Sequence, residues 1–381
     1  PSFYGPCFDL PTTMLPLESP PTHPLHTSSA IRWYSGVIGY STLTADMFPH
    51  EITPVEKSKN DELRSCFPGE DQFYQIGSKK FIMNSSYPDH AENFYNLELK
   101  DDDVWIVTYP RSGTTWTQEM MWLLTHDLDF EKAKTMRHGD KFLFIEQSIL
   151  IGKDMKDKVK EKHKDDPKSL EFFKKMDILG YDAIKTLDSP RCIKSHLPLS
   201  ILPPNLLDTA KVVYVARNPK DCAVSNFYHN QGGPGGFVGD FDQYWPLFKD
   251  GLLLFGPHIE HVKEGWERRD NPNILFLFYE DLKKDLPSMI RKMASFLGKY
   301  VSDNDVEALA NHLSFENMKS IEESLGSPFP FKKEDNSKRQ PHFRQGKVGY
   351  NDEYKNIGKR ADEWLEELIE TTGIPFPRTT K

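Results

Sequence analysis

The sequence predicts an α/β fold, a single domain with a central, mainly parallel sheet flanked by helices. Short apolar runs of strand length alternate with longer stretches of helical periodicity. The runs are apolar throughout, as in strands covered on both faces, and none approaches the 18 residues of a membrane span. The 381 residues suffice for a full core, and 28% charged with 12% aromatic residues describes a globular chain. A net charge of −9 argues against nucleic-acid binding. Cys7, Cys66, Cys192 and Cys222 are scattered without a CxxC pair, which disfavours a disulfide framework or a zinc site and fits a reducing compartment.

Residues 1–46 differ in composition from the rest of the chain. They hold seven prolines, no lysine and four charged residues, whereas the other 335 residues carry the remaining 101 charges. The stretch lacks the basic and apolar regions of a secretory signal. The expectation is a disordered, cloning-derived or upstream leader (1–46) before a folded domain (47–381), with a Pro-rich docking tail as the alternative. Within that domain Val104–Thr108, Cys192-Ile193, Val212–Ala216 and Ile274–Phe278 are the expected strands. Helices are expected after Pro110 and over Asp221–His229, Phe241–Arg269, Leu286–Leu297, Asp303–Leu313 and Tyr354–Thr371. Lys153–Lys175, dense in charge, reads as a solvated helical excursion.

The strongest chemical signal is Thr108-Tyr109-Pro110-Arg111-Ser112-Gly113-Thr114-Thr115-Trp116, between a strand and a helix. Gly113 admits close backbone approach, the helix start offers free N–H groups, and Arg111 with three hydroxyls adds donors. This reads as a P-loop-like phosphate-binding strand–loop–helix; an ordinary capped corner is the other reading. It is not a Walker A loop, because no Gly-Lys pair precedes Thr114, and the strand 212–216 ends in Arg217 rather than an acid. The pattern points to an anionic nucleotide held by cations and backbone, without metal. Arg217 with Ser225 on the following helix, Lys194 with His196 on alternate strand positions, and the loop Phe343-Arg344-Gln345-Gly346-Lys347 support it. Taken singly, each has a plain reading as a surface ion pair or a structural histidine.

With these motifs in place the sequence resembles the cytosolic sulfotransferases, enzymes that use 3′-phosphoadenosine 5′-phosphosulfate (PAPS). The resemblance runs from about Phe73 to Trp364 and is carried by TYPRSGTTW, KSHLP, YVARNPKDCAVS, FYEDLKKD and FRQGKVG. It is particularly similar to insect members, among them the retinol dehydratase branch. The resemblance implies that Arg111, Ser112, Gly113, Thr114, Thr115 and Trp116 hold the 5′-phosphosulfate, with Trp116 on the adenine. It implies that Arg217 and Ser225 bind the 3′-phosphate with Phe343, Arg344, Gln345 and Gly346. Tyr279 and the segment with Leu313, Ser314, Phe315 and Met318 would line the adenine. His196 would be the catalytic base, with Lys194 and Arg111 assisting the sulfonate and PAP as product.

Departures from the family pattern are Arg111 for Lys, Gln345 for Lys, Leu313 for Thr and Ser195 for Thr. The C-terminal dimerisation motif is not recognisable, which leaves monomer or dimer open. The expected acceptor is a small hydrophobic molecule bearing a hydroxyl, first a phenol. A retinoid- or steroid-like alcohol, with dehydration after sulfation, is the alternative. Phe142 and Phe144, with aromatics at Phe73, Tyr74 and Phe81, are the candidate acceptor pocket. A metal-dependent phosphotransferase, an anchored Golgi carbohydrate sulfotransferase and a non-catalytic PAP-binding protein are the competing readings. A cytoplasmic enzyme without metal, nucleic-acid partner or membrane is the expectation.

Overall fold

A computed structural model describes residues 47–178, 180–231, 236–326, 346, 348–349 and 352–378. Five parallel strands form the central sheet: β4 (Val104–Val107), β5 (Leu143–Phe144), β6 (Cys192–Ser195), β7 (Lys211–Ala216) and β8 (Ile274–Phe278), in the order β5-β6-β4-β7-β8. Three shorter strands, β1 (Ile52–Pro54), β2 (Phe73–Ile76) and β3 (Phe81–Asn84), make a separate antiparallel sheet in the order β1-β2-β3. The α/β architecture follows the sequence reading; the antiparallel sheet was not part of it. Residues 1–46, the expected leader, lie outside the described residues.

The alternation along each central strand divides the core in two. Trp105, Val107, Ile193, Val212 and Tyr214 pack into one cluster. Val104, Ile106, Cys192, Val213, Val215, Leu275 and Leu277 pack into the other, against Met120, Leu123 and Leu124 of the helix Thr114–Thr125. At the N-terminal entry of the sheet Arg191 clamps Asp103 with two bonds of 2.6 and 2.5 Å, both side chains buried. That fork fixes β6 beside β4, whose Val107 pairs with Ser195 at the opposite end.

The expected helix Phe241–Arg269 is instead two helices, Phe241–Lys249 and His258–Glu267. Gly251 at φ 72°, Phe255 at φ 66° and Pro257 make a continuous helix impossible. The intervening chain runs against β3: Phe255 donates to the Ile82 carbonyl at 2.8 Å, and Ile82 donates to Gly256 at 2.7 Å. Pro167 likewise divides the charged excursion into Lys153–Lys162 and Pro167–Asp177. Among the described residues no helix is long and apolar enough to cross a membrane.

Candidate active site

The C-terminal ends of β4, β6 and β7 deliver three segments to one place, as a parallel sheet does at its carboxyl edge. After β4 the chain turns through Arg111 at φ 68° and Gly113 at φ 99° into the helix Thr114–Thr125. Gly113 is the N-cap and supplies no side-chain cap, and a helix start of this kind, with its positive dipole end, suits an anion. A Cβ at Gly113 would lie 2.6 Å from the Tyr279 ring, so backbone and tyrosine touch only because the residue is glycine.

The loop is tied to the other two segments. Arg217 donates from Nη1 to the Arg111 carbonyl at 2.9 Å, and Arg111 donates from Nε to Ser225 Oγ at 3.2 Å. The Arg217 guanidinium lies 4.5 Å from the Tyr279 ring centre. Thr108 links Thr114 (Oγ1 to Oγ1, 2.7 Å) to His196, whose Nδ1 is 2.7 Å from the Thr108 carbonyl. A carbonyl only accepts, so Nδ1 carries the proton and Nε2 keeps its lone pair. Burial, then the Lys194 charge, hold the imidazole well below its ordinary pKa.

Behind the β6 end lies a buried acid, Glu146. Its carboxylate accepts the His196 main-chain N–H and, at 3.2 Å, the Ser195 hydroxyl. Lys194 and His196 open on the cavity, whereas Ser195 turns back to Glu146, the alternation the sequence suggested. Lys194 Nζ stands 4.0 Å from the Phe144 ring centre. Burial lowers its pKa while the Glu146 charge opposes that; burial in turn raises the Glu146 carboxyl.

One cavity of about 390 Å³ gathers most of the expected residues. Arg111, Gly113, Thr114, Thr115 and Trp116 line it beside Arg217 and Ser225. Tyr279, Leu313, Phe315, Met318 and Gly346 continue the wall, and Lys194, His196 and Phe144 complete it. Trp116 donates its indole N–H to the Leu313 carbonyl at 2.8 Å and meets Tyr279 edge-on at 5.9 Å. The main chain of Leu313 thus makes a polar contact here despite its apolar side chain.

Five side chains depart from expectation. Phe142 does not line the cavity: β5 begins only at Leu143, and Phe142 closes the preceding helical turn with its side chain buried in the core cluster that also holds Met120 and Met121. The Ser112 hydroxyl is buried 3.9 Å from Cys222 Sγ, so only its main chain is left for an anion. Ser314 caps the helix Phe315–Leu325, accepting the Asn317 N–H at 3.3 Å. Tyr74 and Phe81 are not in the cavity wall, whereas Phe73 is. Phe343, Arg344, Gln345 and Lys347 lie outside the described residues.

The sequence reading missed Glu146, Lys283, Glu70 and the segment Leu252–Phe255, of which the last three line the cavity. Lys283 lies 5.4 Å over Trp116. The Gly251…Pro257 punctuation was the available sign for the segment. No local pattern marks the others. Among the described residues no group of three or more His, Cys, Asp or Glu is placed to hold a metal ion.

Comparison with known proteins fits this geometry. The family model described as a sulfotransferase domain matches residues 101–373. Luciferin sulfotransferase of Photinus pyralis is 33% identical over 302 residues, covering 74% of this chain and 76% of that protein. Human sulfotransferase 1C2 is 32% identical over 305 residues, covering 77% and 92%. Among solved structures, retinol dehydratase in complex with retinol and PAP superposes with TM-score 0.74 at 30% identity, over 86% of this chain and 99% of that one. The same enzyme with androsterone and the inactive cofactor PAP gives TM-score 0.76 at 31% identity, over 87% and 99%.

Proposed function

The chain belongs to the sulfotransferase family, and from that premise we propose that it sulfates a small phenol with His196 as general base. The enzyme is a PAPS-dependent transferase, and the cavity suits that donor: a capless helix start, Arg111 and Arg217 for anionic groups, and an aromatic pair for a base. In this reading the loop Arg111–Trp116 holds the 5′-phosphosulfate, and Arg217 with Ser225 the 3′-phosphate. Arg344 and Gly346 assist there. Trp116, Tyr279, Leu313, Phe315 and Met318 surround the adenine.

His196 takes the acceptor proton on Nε2 while the acceptor oxygen bonds to sulfur and the bond from sulfur to the bridging oxygen breaks, releasing PAP. The Thr108 carbonyl, bonded to Nδ1–H, orients the ring and supports the imidazolium that forms. Lys194 and Arg111 offset charge on the sulfonate and the departing oxygen. The acceptor bears on Phe67, Phe73, Phe144 and Phe255. Phenols rank first because a buried imidazole of lowered basicity takes a proton most readily from an acidic hydroxyl, and a phenol ionises near 10.

The observation that carries the proposal is the placement of the His196 lone pair beside Lys194 in the cavity that also holds the phosphate-type loop. The test is transfer of labelled sulfonate from PAPS to panels of phenols, alcohols and amines with EDTA present. Turnover on phenols that disappears in His196→Ala is expected; equal turnover in the variant removes His196 as base. A second reading, sulfation of a retinoid- or steroid-like alcohol with dehydration, is favoured by likeness to a retinol dehydratase seen with retinol and androsterone. Product analysis separates the two, since a phenol leaves a stable sulfate ester and dehydration leaves an alkene.

A further inference from the structure

Arg217 and Tyr279 line the cavity, whereas the next residue, Glu280, is buried and does not. Glu280 lies in the first turn of the helix Tyr279–Lys284. Its Oε1 accepts the Asn218 N–H at 2.9 Å, which fastens the acid to the residue that follows Arg217. Asn218 in turn donates from Nδ2 to the Pro377 carbonyl at 2.9 Å, tying the turn to the C-terminal segment. The other oxygen of Glu280, Oε2, is buried without a hydrogen-bond partner. Among the described residues no cation lies within ion-pair distance of it, although it feels the Arg217 charge. Lys220 pairs with Asp362, Arg378 with Glu366, and Lys283 lies over Trp116. The other titratable groups that face the acid are Asp221, which accepts the Gly349 N–H at 2.8 Å, and the Cys222 thiol. Burial raises the Glu280 carboxyl to about 7, against the Asn218 bond and the Arg217 charge.

An ionised carboxylate set beside the cation that receives a phosphate repels that phosphate, and the phosphate disfavours its ionisation in return. We propose that Glu280 sets how firmly the enzyme holds its nucleotide: the carboxylate opposes the 3′-phosphate at Arg217 and takes up a proton as that phosphate binds. The inference rests on the reading that Arg217 holds the 3′-phosphate. Oε1 is engaged by the Asn218 N–H, so the proton goes to Oε2. A nucleotide without a 3′-phosphate leaves the acid as it was. When PAP departs the proton departs with it, and the restored charge weakens rebinding of the product.

The test is calorimetric titration of the wild-type enzyme with PAP and with adenosine 5′-monophosphate (AMP), in buffers of different ionisation enthalpy. At about pH 7.5 a phosphate monoester, with its second pKa at about 6, is already ionised and does not mask the count. For a coupling of about one pK unit, PAP is expected to take up about half a proton more than AMP. Glu280→Gln is expected to erase that difference. It should also strengthen PAP binding about threefold at about pH 7.5 and about eightfold at about pH 8.5, with AMP unchanged. The wild-type proton count stands even if the variant does not fold. Equal counts for the two nucleotides overturn the inference. Weaker PAP binding by Glu280→Gln overturns it too, since the acid would then only prop the turn. Arg217→Met tests the reading beneath and is expected to erase the preference for PAP over AMP. An intact preference overturns the placement of the 3′-phosphate and this inference with it. A lost preference, with equal proton counts in the wild type, overturns the inference alone.

Discussion

Two buried groups in this protein combine a glutamate, a lysine and histidine, and they are built to opposite ends. In one, Glu119 of the helix Thr114–Thr125 receives Lys141 at 2.5 Å and His312 at 2.8 Å, with His138 at 3.4 Å. Burial opposes ionisation of Glu119, yet the bonds from His138 and His312 and the Lys141 charge hold its carboxyl far below the ordinary range. Every charge there is closed. In the other, Glu146 spends its oxygens on the His196 main chain and the Ser195 hydroxyl. Lys194 has no carboxylate within ion-pair distance among the described residues, although it feels the Glu146 charge. A cation held near an acid but not bonded to it stays available to a substrate. The difference between structural and chemical use of the same residues lies in which donors reach the carboxylate first.

His196→Ala gives the largest expected effect: turnover falls by about 10²-fold or more, while PAP binding measured by calorimetry persists. His312→Ala, in the closed group, is expected to lower the melting temperature more than the turnover. A variant of His312 as inactive as that of His196 would erase the distinction. Glu119→Ala strands Lys141 and is expected to cost about 3–5 kcal/mol in denaturant unfolding. Because the folded carboxyl ionises below its ordinary 4.5, its stabilisation is complete above that pH and is lost as pH falls beneath it. Glu119→Gln should flatten that acid limb.

Gly113→Ala sharpens the view of the loop. The left-handed backbone and the Tyr279 contact both oppose a methyl group, so PAP affinity should fall about tenfold or more with a modest loss of melting temperature. The pH profile, read apart from the turnover itself, tests the open group. Lys194 lowers the basicity of His196, so Lys194→Met should raise the imidazole pKa and move the acid limb of kcat/KM to higher pH. Glu146→Gln should move the alkaline limb to lower pH, since Lys194 loses the charge that supports its proton. Unmoved limbs in both variants would mean that the group is structural after all.

The nucleotide side of the site was legible because each part is local. A strand end, a glycine and a run of hydroxyls stand together at Thr108–Trp116, and Lys194 and His196 are spaced by strand period. Four of the five central strands were legible for the same reason, each holding a short apolar run. Glu146 was not, because its role depends on β5 lying beside β6, a pairing across about fifty residues. Phe142 and Phe144 looked equivalent two residues apart, until the strand proved to begin between them. The Leu252–Phe255 wall hid inside a helical pattern whose Gly251 and Pro257 outweigh its periodicity. β2 (FYQI) and β3 (FIMN) mix aromatic, aliphatic and amide side chains, so they read as an aromatic cluster and not as apolar runs.

The bond from Trp116 to the Leu313 carbonyl has a bearing on how such a site changes over generations. An indole that leans on a peptide oxygen is indifferent to the letter at that position. Substitution at 313 can wander among residues that fit the wall without loosening the tryptophan. Drift there alters the spelling of the pocket and leaves this piece of its wiring in place.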